Sequence, residues 1–189
     1  MKYFTREQHD RANSADRLEM AAFQEELRRS DLEYRDQLEK LKARLSNAWP
    51  FFDTVSLHDG TLLAARIGDD IDKLFSTYST LIVNKRHLSV ELEVLNREET
   101  QLHRLRYDRL HRVMFDFPSP EPWYLRYSDR ASNPIDYWMF DELTAVDDQV
   151  LRHEMQFSSG TTLLVEFEKF DVRSTQIEGR HGLPYVEEP

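Results

Sequence analysis

The chain contains no cysteine, so it has no disulfide framework, no thiolate nucleophile and no cysteine-ligated metal, a composition that agrees with a reducing compartment. Long apolar runs are also missing. No stretch approaches the roughly 18 residues that a membrane helix needs, and the opening MKYFTREQHD has no apolar segment of the signal-peptide kind. These absences predict a soluble, cytoplasmic protein with no membrane partner. The five glycines form no phosphate-cradling loop, and no serine lies in a nucleophile elbow. The common nucleotide-binding and serine-hydrolase signatures are therefore absent, and no cofactor is expected. Positive charge is short as well, with 25 Lys and Arg against 35 Asp and Glu, a formal net charge of -10. Residues 1 to 47 hold ten of each sign, whereas residues 134 to 189 hold four basic and twelve acidic side chains. A surface of that kind repels phosphate backbones, which argues against nucleic acid and leaves a basic protein effector as the complementary partner.

What is present reads as one α+β protein, since 189 residues suffice for a single core. Two helices are predicted in the first 47 residues. Thr5 with Gln8 and Ser30 with Glu33 both fit the capping box, and Tyr34, Leu38, Leu41 and Leu45 form a stripe at helical spacing. The spacing predicts a hairpin or one bent helix over residues 1–49, ended by Trp49-Pro50 because proline disfavours the helical conformation of its predecessor. The Tyr34 to Leu45 stripe also offers a surface for homo-oligomerisation. From Val55 the apolar period falls to two, and residues 50–173 read as a mainly antiparallel, strongly curved sheet or sandwich of about six strands packed with the helices. The expected strands include Thr61 to Ile67, Thr80 to Val83, a hairpin over 88–116, and a meander through Tyr137 to Val146, Leu151 to Phe157 and Thr161 to Val172. Residues 174–189 lose alternation and read as an extended or disordered tail.

Two hairpin registers follow from the sorting of side chains. A loop of Ser158, Ser159 and Gly160, with Gly160 at positive φ, pairs His153 with Val165 and Arg152 with Glu166, so one face collects the apolar residues. His153 then points inward, and His153-Glu154 is not a co-facing dyad. In the other hairpin Glu93 meets Arg104 and Glu91 meets Arg106, while Leu92 meets Leu105 and Val90 meets Tyr107. The arginines read as sheet partners rather than as an anion site.

Three constellations are candidates for function. Pro118, Pro120, Pro122 and Pro134 bracket Trp123, Tyr124, Tyr127, Tyr137 and Trp138. A proline-stiffened aromatic segment loses little entropy on binding, which makes these rings candidate interface anchors. His58-Asp59-Gly60 opens the first strand, and an imidazole beside a carboxylate is a candidate metal pair, although adjacent strand residues face opposite sides unless a turn or bulge intervenes. Asp141 with Glu142, and Glu166 with Glu168, would supply acid/base carboxylates if two converged with one pKa raised. Alternation instead puts such residues on a wet face, and no catalytic residue is assigned.

Met1-Lys2-Tyr3-Phe4-Thr5, the Leu57-His58-Asp59 step, Tyr137-Trp138 through Asp141-Glu142, and His153-Glu154-Met155 with Phe157-Ser158-Ser159-Gly160 together resemble uncharacterised bacterial families of unknown function. Those families have an M-K-Y-F-T-type start, an H-D step and an H-E-x-x-F-S-x-G strand pair, and their small α+β relatives are held to include immunity proteins beside secreted toxins. The resemblance implies a fold relationship and supplies no activity or catalytic residues; the absent catalytic motifs, the acidic C-terminal half and the aromatic proline segment point to a non-enzymatic protein-binding module of the immunity type. The alternatives are a metal-dependent hydrolase using His58 and Asp59, and a homo-oligomeric structural protein.

Overall fold

A computed structural model describes residues 2–3, 17–69, 88–116 and 136–177. Helix α1 (Arg17–Leu45) leads through a 3-10 turn (Ser46–Ala48) into the short helix α2 (Trp49–Thr54). Six strands follow: β1 (Thr61–Asp69), β2 (Leu88–Leu95), β3 (Gln101–Asp116), β4 (Asp136–Ala145), β5 (Leu151–Phe157) and β6 (Thr162–Gln176). All pairings are antiparallel, and the order β1-β2-β3-β6-β5-β4 closes on itself as a barrel. The curved-sheet expectation is met and carried through to closure; the sandwich is not formed.

Both hairpin registers are as the side chains sort them. Glu93 faces Arg104 and Val90 faces Tyr107 across β2 and β3, and His153 faces Val165 across β5 and β6. Gly160 takes φ 86, a left-handed conformation that glycine adopts without steric penalty. At the β4–β5 turn the Asp147 carboxylate accepts the backbone N–H groups of Gln149 and Val150, each at 2.7 Å. Those two bonds hold its pKa below the usual carboxylate value.

Closure runs between β1 and β4. Among the described residues the register joins Thr61 to Tyr137 and Leu62 to Asp136, supplemented by Trp138 N–H to Gly60 O at 2.7 Å and Asp59 N–H to Trp138 O at 2.8 Å. Beyond this seam α1 lies against β4. The Tyr34 hydroxyl accepts the Leu143 backbone N–H at 2.9 Å, and Leu38, Leu41 and Leu45 join Val90, Leu105, Trp138 and Phe167 in one buried core.

The helical region differs from expectation in four ways. First, α1 runs through Ser30 without a break, so the helix start at Ser30–Glu33, and with it the hairpin or sharp bend, is absent. No glycine or proline interrupts the segment, and the ion pairs Arg28–Glu25 at 2.7 Å and Arg35–Asp31 at 3.1 Å favour the continuous helix on both sides of Ser30. Second, Pro50 opens α2 rather than ending the helices, because a first-turn N–H has no intrahelical acceptor to lose. Third, the apolar stripe is buried against the chain's own barrel and is not free for a second copy. Fourth, β6 continues to Gln176, pairing Ser174 with His103 and Gln176 with Gln101, so the start of the expected tail is sheet. Thr5–Gln8 and Thr80–Val83 lie outside the described residues.

At the far end of β3, His103 is 1% exposed. Its Nδ1 meets Ser174 Oγ at 2.8 Å, its ring packs on Phe51 with centroids 5.5 Å apart, and its Nε2 has no partner among the described residues. Burial lowers its pKa below 6.5. The unfolded chain then binds more protons than the folded one between that lowered value and 6.5, so His103 titration leaves stability unchanged above this window and destabilises the fold as pH falls through it. Urea unfolding at pH 7.5 and 5.5 should show the wild type losing more stability on acidification than His103→Phe. Equal losses would contradict this assignment.

Candidate functional site

The described residues enclose a cleft of about 550 Å³ where α1 and α2 meet β4 and β5, a volume in the range of small-ligand pockets. Trp49, Phe51, Phe52 and Phe140 line its walls with Tyr34 and Leu38, while Asp141 and His153 form its floor. Local folding explains the floor. A bulge between Trp138 and Phe140 shifts the β4 register by one residue. Three residues apart on a regular strand, Trp138 and Asp141 would face opposite sides. The bulge brings both to the inner face, where Asp141 is paired with Met155 and Leu143 with His153.

A buried polar chain results. The Tyr107 hydroxyl lies 2.7 Å from His153 Nδ1, His153 Nε2 lies 3.0 Å from Asp141 Oδ2, and Trp138 Nε1 donates to Asp141 Oδ1 at 2.9 Å. With Asp141 ionised, the consistent arrangement has Tyr107 donating to Nδ1 and the Nε2–H donating to the carboxylate. Three rings cage the imidazole: Phe52 at 5.7 Å, Tyr107 at 5.8 Å and Trp138 at 5.9 Å between centroids. Burial raises the pKa of Tyr107 well above 10, and the Asp141 charge adds to the effect. Tyr34 is raised for the same two reasons. Both phenols therefore stay neutral at physiological pH.

Chemically the chain is closed at one end and open at the other. His153 is buried with both ring nitrogens occupied, so it can accept no substrate proton without breaking a bond it already has. Asp141 has a side chain 27% exposed toward the cleft. Each of its oxygens holds one protein donor, and an ionised carboxylate offers about four acceptor positions. This arrangement can hold a hydrogen-bond donor or a cation.

The carboxylate pairs do not converge. Glu142 lies on the other side of β4 from Asp141 and accepts the backbone N–H groups of Lys2 at 2.6 Å and Tyr3 at 2.5 Å. Glu166 is held by Arg152 at 2.7 Å, and Glu168 meets His111 at 2.9 Å. His58 and Asp59 do share a turn, with Asp59 at φ 62 and His58 Nδ1 at 3.1 Å from Asp59 Oδ1. The second oxygen of Asp59 lies 3.4 Å from Arg97. Among the described residues no three His, Asp or Glu side chains come together to hold a metal ion.

The aromatic candidates divide. Tyr137 is 45% exposed, but Trp138 is 0% exposed, so Trp138 is corrected from interface anchor to core residue: its ring fills the barrel beside Phe157, 5.4 Å away. Trp123, Tyr124 and Tyr127 lie outside the described residues. The role of Asp141 in the cleft was missed by alternation because nothing in the sequence announces the bulge. The inward His153 was the one legible hint.

No protein-family model and no curated protein matches the chain. It is weakly similar to a solved structure described as an uncharacterized protein from Neisseria gonorrhoeae, with TM-score 0.43 and 11% identity over 62% of this chain and 93% of that one. A likeness of that size transfers neither fold nor function. Among the described residues no helix is long and apolar enough to cross a membrane.

Proposed function

We propose that the protein is a non-enzymatic binding module of the immunity type, and that the helix–barrel cleft is where it engages a basic effector protein. The observation that carries this reading is Asp141: a carboxylate on the cleft floor, oriented by two buried donors and reached from outside between aromatic walls. Of the other acidic groups lining the cleft, Asp31 is paired with Arg35 and Glu39 with Lys42, whereas Asp53 adds negative charge without a basic partner among the described residues. The net charge of -10 steers a basic protein toward this face, with the close contacts then setting its residence time. The exposed Tyr137 is proposed as an aromatic anchor for a protein partner, and Trp123, Tyr124 and Tyr127 are carried as anchors on sequence grounds alone.

The test is an amide chemical-shift titration of the full chain with a synthetic decapeptide alternating glycine with arginine and lysine. The expected result is saturable shifts at Phe52, His58, Phe140 and Asp141 at 50 mM salt that weaken severalfold at 300 mM, as screening demands. Absence of saturable shifts, or shifts confined to residues outside the cleft, would overturn the proposal.

A further inference from the structure

We infer that the group the cleft receives is a single arginine side chain of the partner, with Asp141 as its counter-ion. This inference rests on the reading of the cleft as the binding face. The chemistry of the floor argues for a guanidinium over an ammonium. Trp138 Nε1 and His153 Nε2 use one acceptor position on each Asp141 oxygen, which leaves acceptor capacity on both oxygens rather than on one. A planar fork of N–H donors engages two oxygens together, while an ammonium acts as a point charge. Because both protein donors are buried, they fix the carboxylate before the ligand arrives, so little rotamer entropy remains to be lost on binding.

The walls favour the same ligand. Phe52 and Phe140 line the same cleft as Asp141, and aromatic rings interact with a guanidinium more readily than with the strongly hydrated ammonium. The rim already shows an affinity for cations: Lys42 Nζ sits 4.9 Å from the Trp49 ring centroid. Arg35, the one basic side chain among the described residues lining the cleft besides the histidines, is held by Asp31 at 3.1 Å and is largely exposed, so it leaves the Asp141 carboxylate to an incoming cation.

Three tripeptides blocked at both ends, Gly-Arg-Gly, Gly-Lys-Gly and Gly-citrulline-Gly, separate shape from charge, since citrulline keeps the outline of arginine without its charge. Shift titration of the unaltered protein should give about tenfold tighter binding of the arginine peptide than of either other one, in line with bidentate charge-assisted recognition. The Asp141→Asn variant should lose that preference. Its floor can still be satisfied, because the amide donates to His153 Nε2 once the ring proton moves to Nδ1. Asp53→Asn should weaken the arginine and lysine peptides equally. Equal binding of the arginine and lysine peptides within the cleft would overturn the arginine assignment and leave the cleft reading standing. Binding of no peptide in the cleft would overturn both.

Discussion

Replacing Trp138 by alanine should cost about 3–5 kcal/mol of folding stability, the range for deleting a large buried aromatic ring. The indole is fully buried and packs on Phe157 and His153. Its Nε1–H is one of the two donors on Asp141 among the described residues. The substitution therefore opens a cavity and loosens the cleft floor together. Urea unfolding followed by far-ultraviolet circular dichroism measures the loss. A variant within about 1 kcal/mol of wild type would contradict the core assignment, because truncating a surface anchor changes stability little. Trp138→Phe keeps most of the volume and deletes the N–H, so its smaller loss separates packing from hydrogen bonding.

Gly60→Ala should be nearly as damaging, for a different reason. A Cβ at this position would lie 2.7 Å from Leu57 O and 2.9 Å from Leu95 O. Both atoms belong to the backbone and cannot rotate away. Gly60 also stands at the closure seam, donating to Leu57 O at 2.8 Å and accepting from Trp138 N–H at 2.7 Å. Overpacking of this kind costs about 3 kcal/mol, and relief requires the Gly60 backbone to draw away from Leu57 and Leu95, which disturbs the bond that it accepts from Trp138 N–H at the seam. Amide exchange at Asp59 and Trp138 should then accelerate far more than exchange in β3, whose pairs with β6 are remote from the seam. Unchanged exchange with an unchanged unfolding midpoint would show that the seam tolerates a methyl group.

The registers of both central hairpins were legible because charge and apolar character sort together. A one-residue slip of β2 against β3 would set Glu91 and Glu93 away from Arg106 and Arg104 and expose Leu92, and two independent penalties point to one answer. The helical region was less legible. Ser30 with Glu33 satisfies a capping pattern, yet the same pair is tolerated inside a helix, and its neighbours supply ion pairs that reward continuity. The site was the least legible part. Strict alternation puts Trp138 and Asp141 on opposite faces, and the bulge at Met139 reverses that parity. A bulge is a compromise among three strands closing a ring and has no local signature in a stretch such as Tyr137-Trp138-Met139-Phe140. The inward reading of His153 survived because β5 has no bulge against β6.

The bond from the Leu143 amide to the Tyr34 hydroxyl has a consequence for solubility. Past the seam, the side of β4 away from β5 has no strand beside it among the described residues, and bare strand edges invite pairing with other chains. The helix side chain occupies one of the donors that an incoming strand would need, while the body of α1 blocks the approach. A fragment beginning at Pro50 would keep all six described strands and lose this shield. Its failure would take the form of self-association through β4 rather than simple unfolding, which makes α1 as much a guard against aggregation as a wall of the cleft.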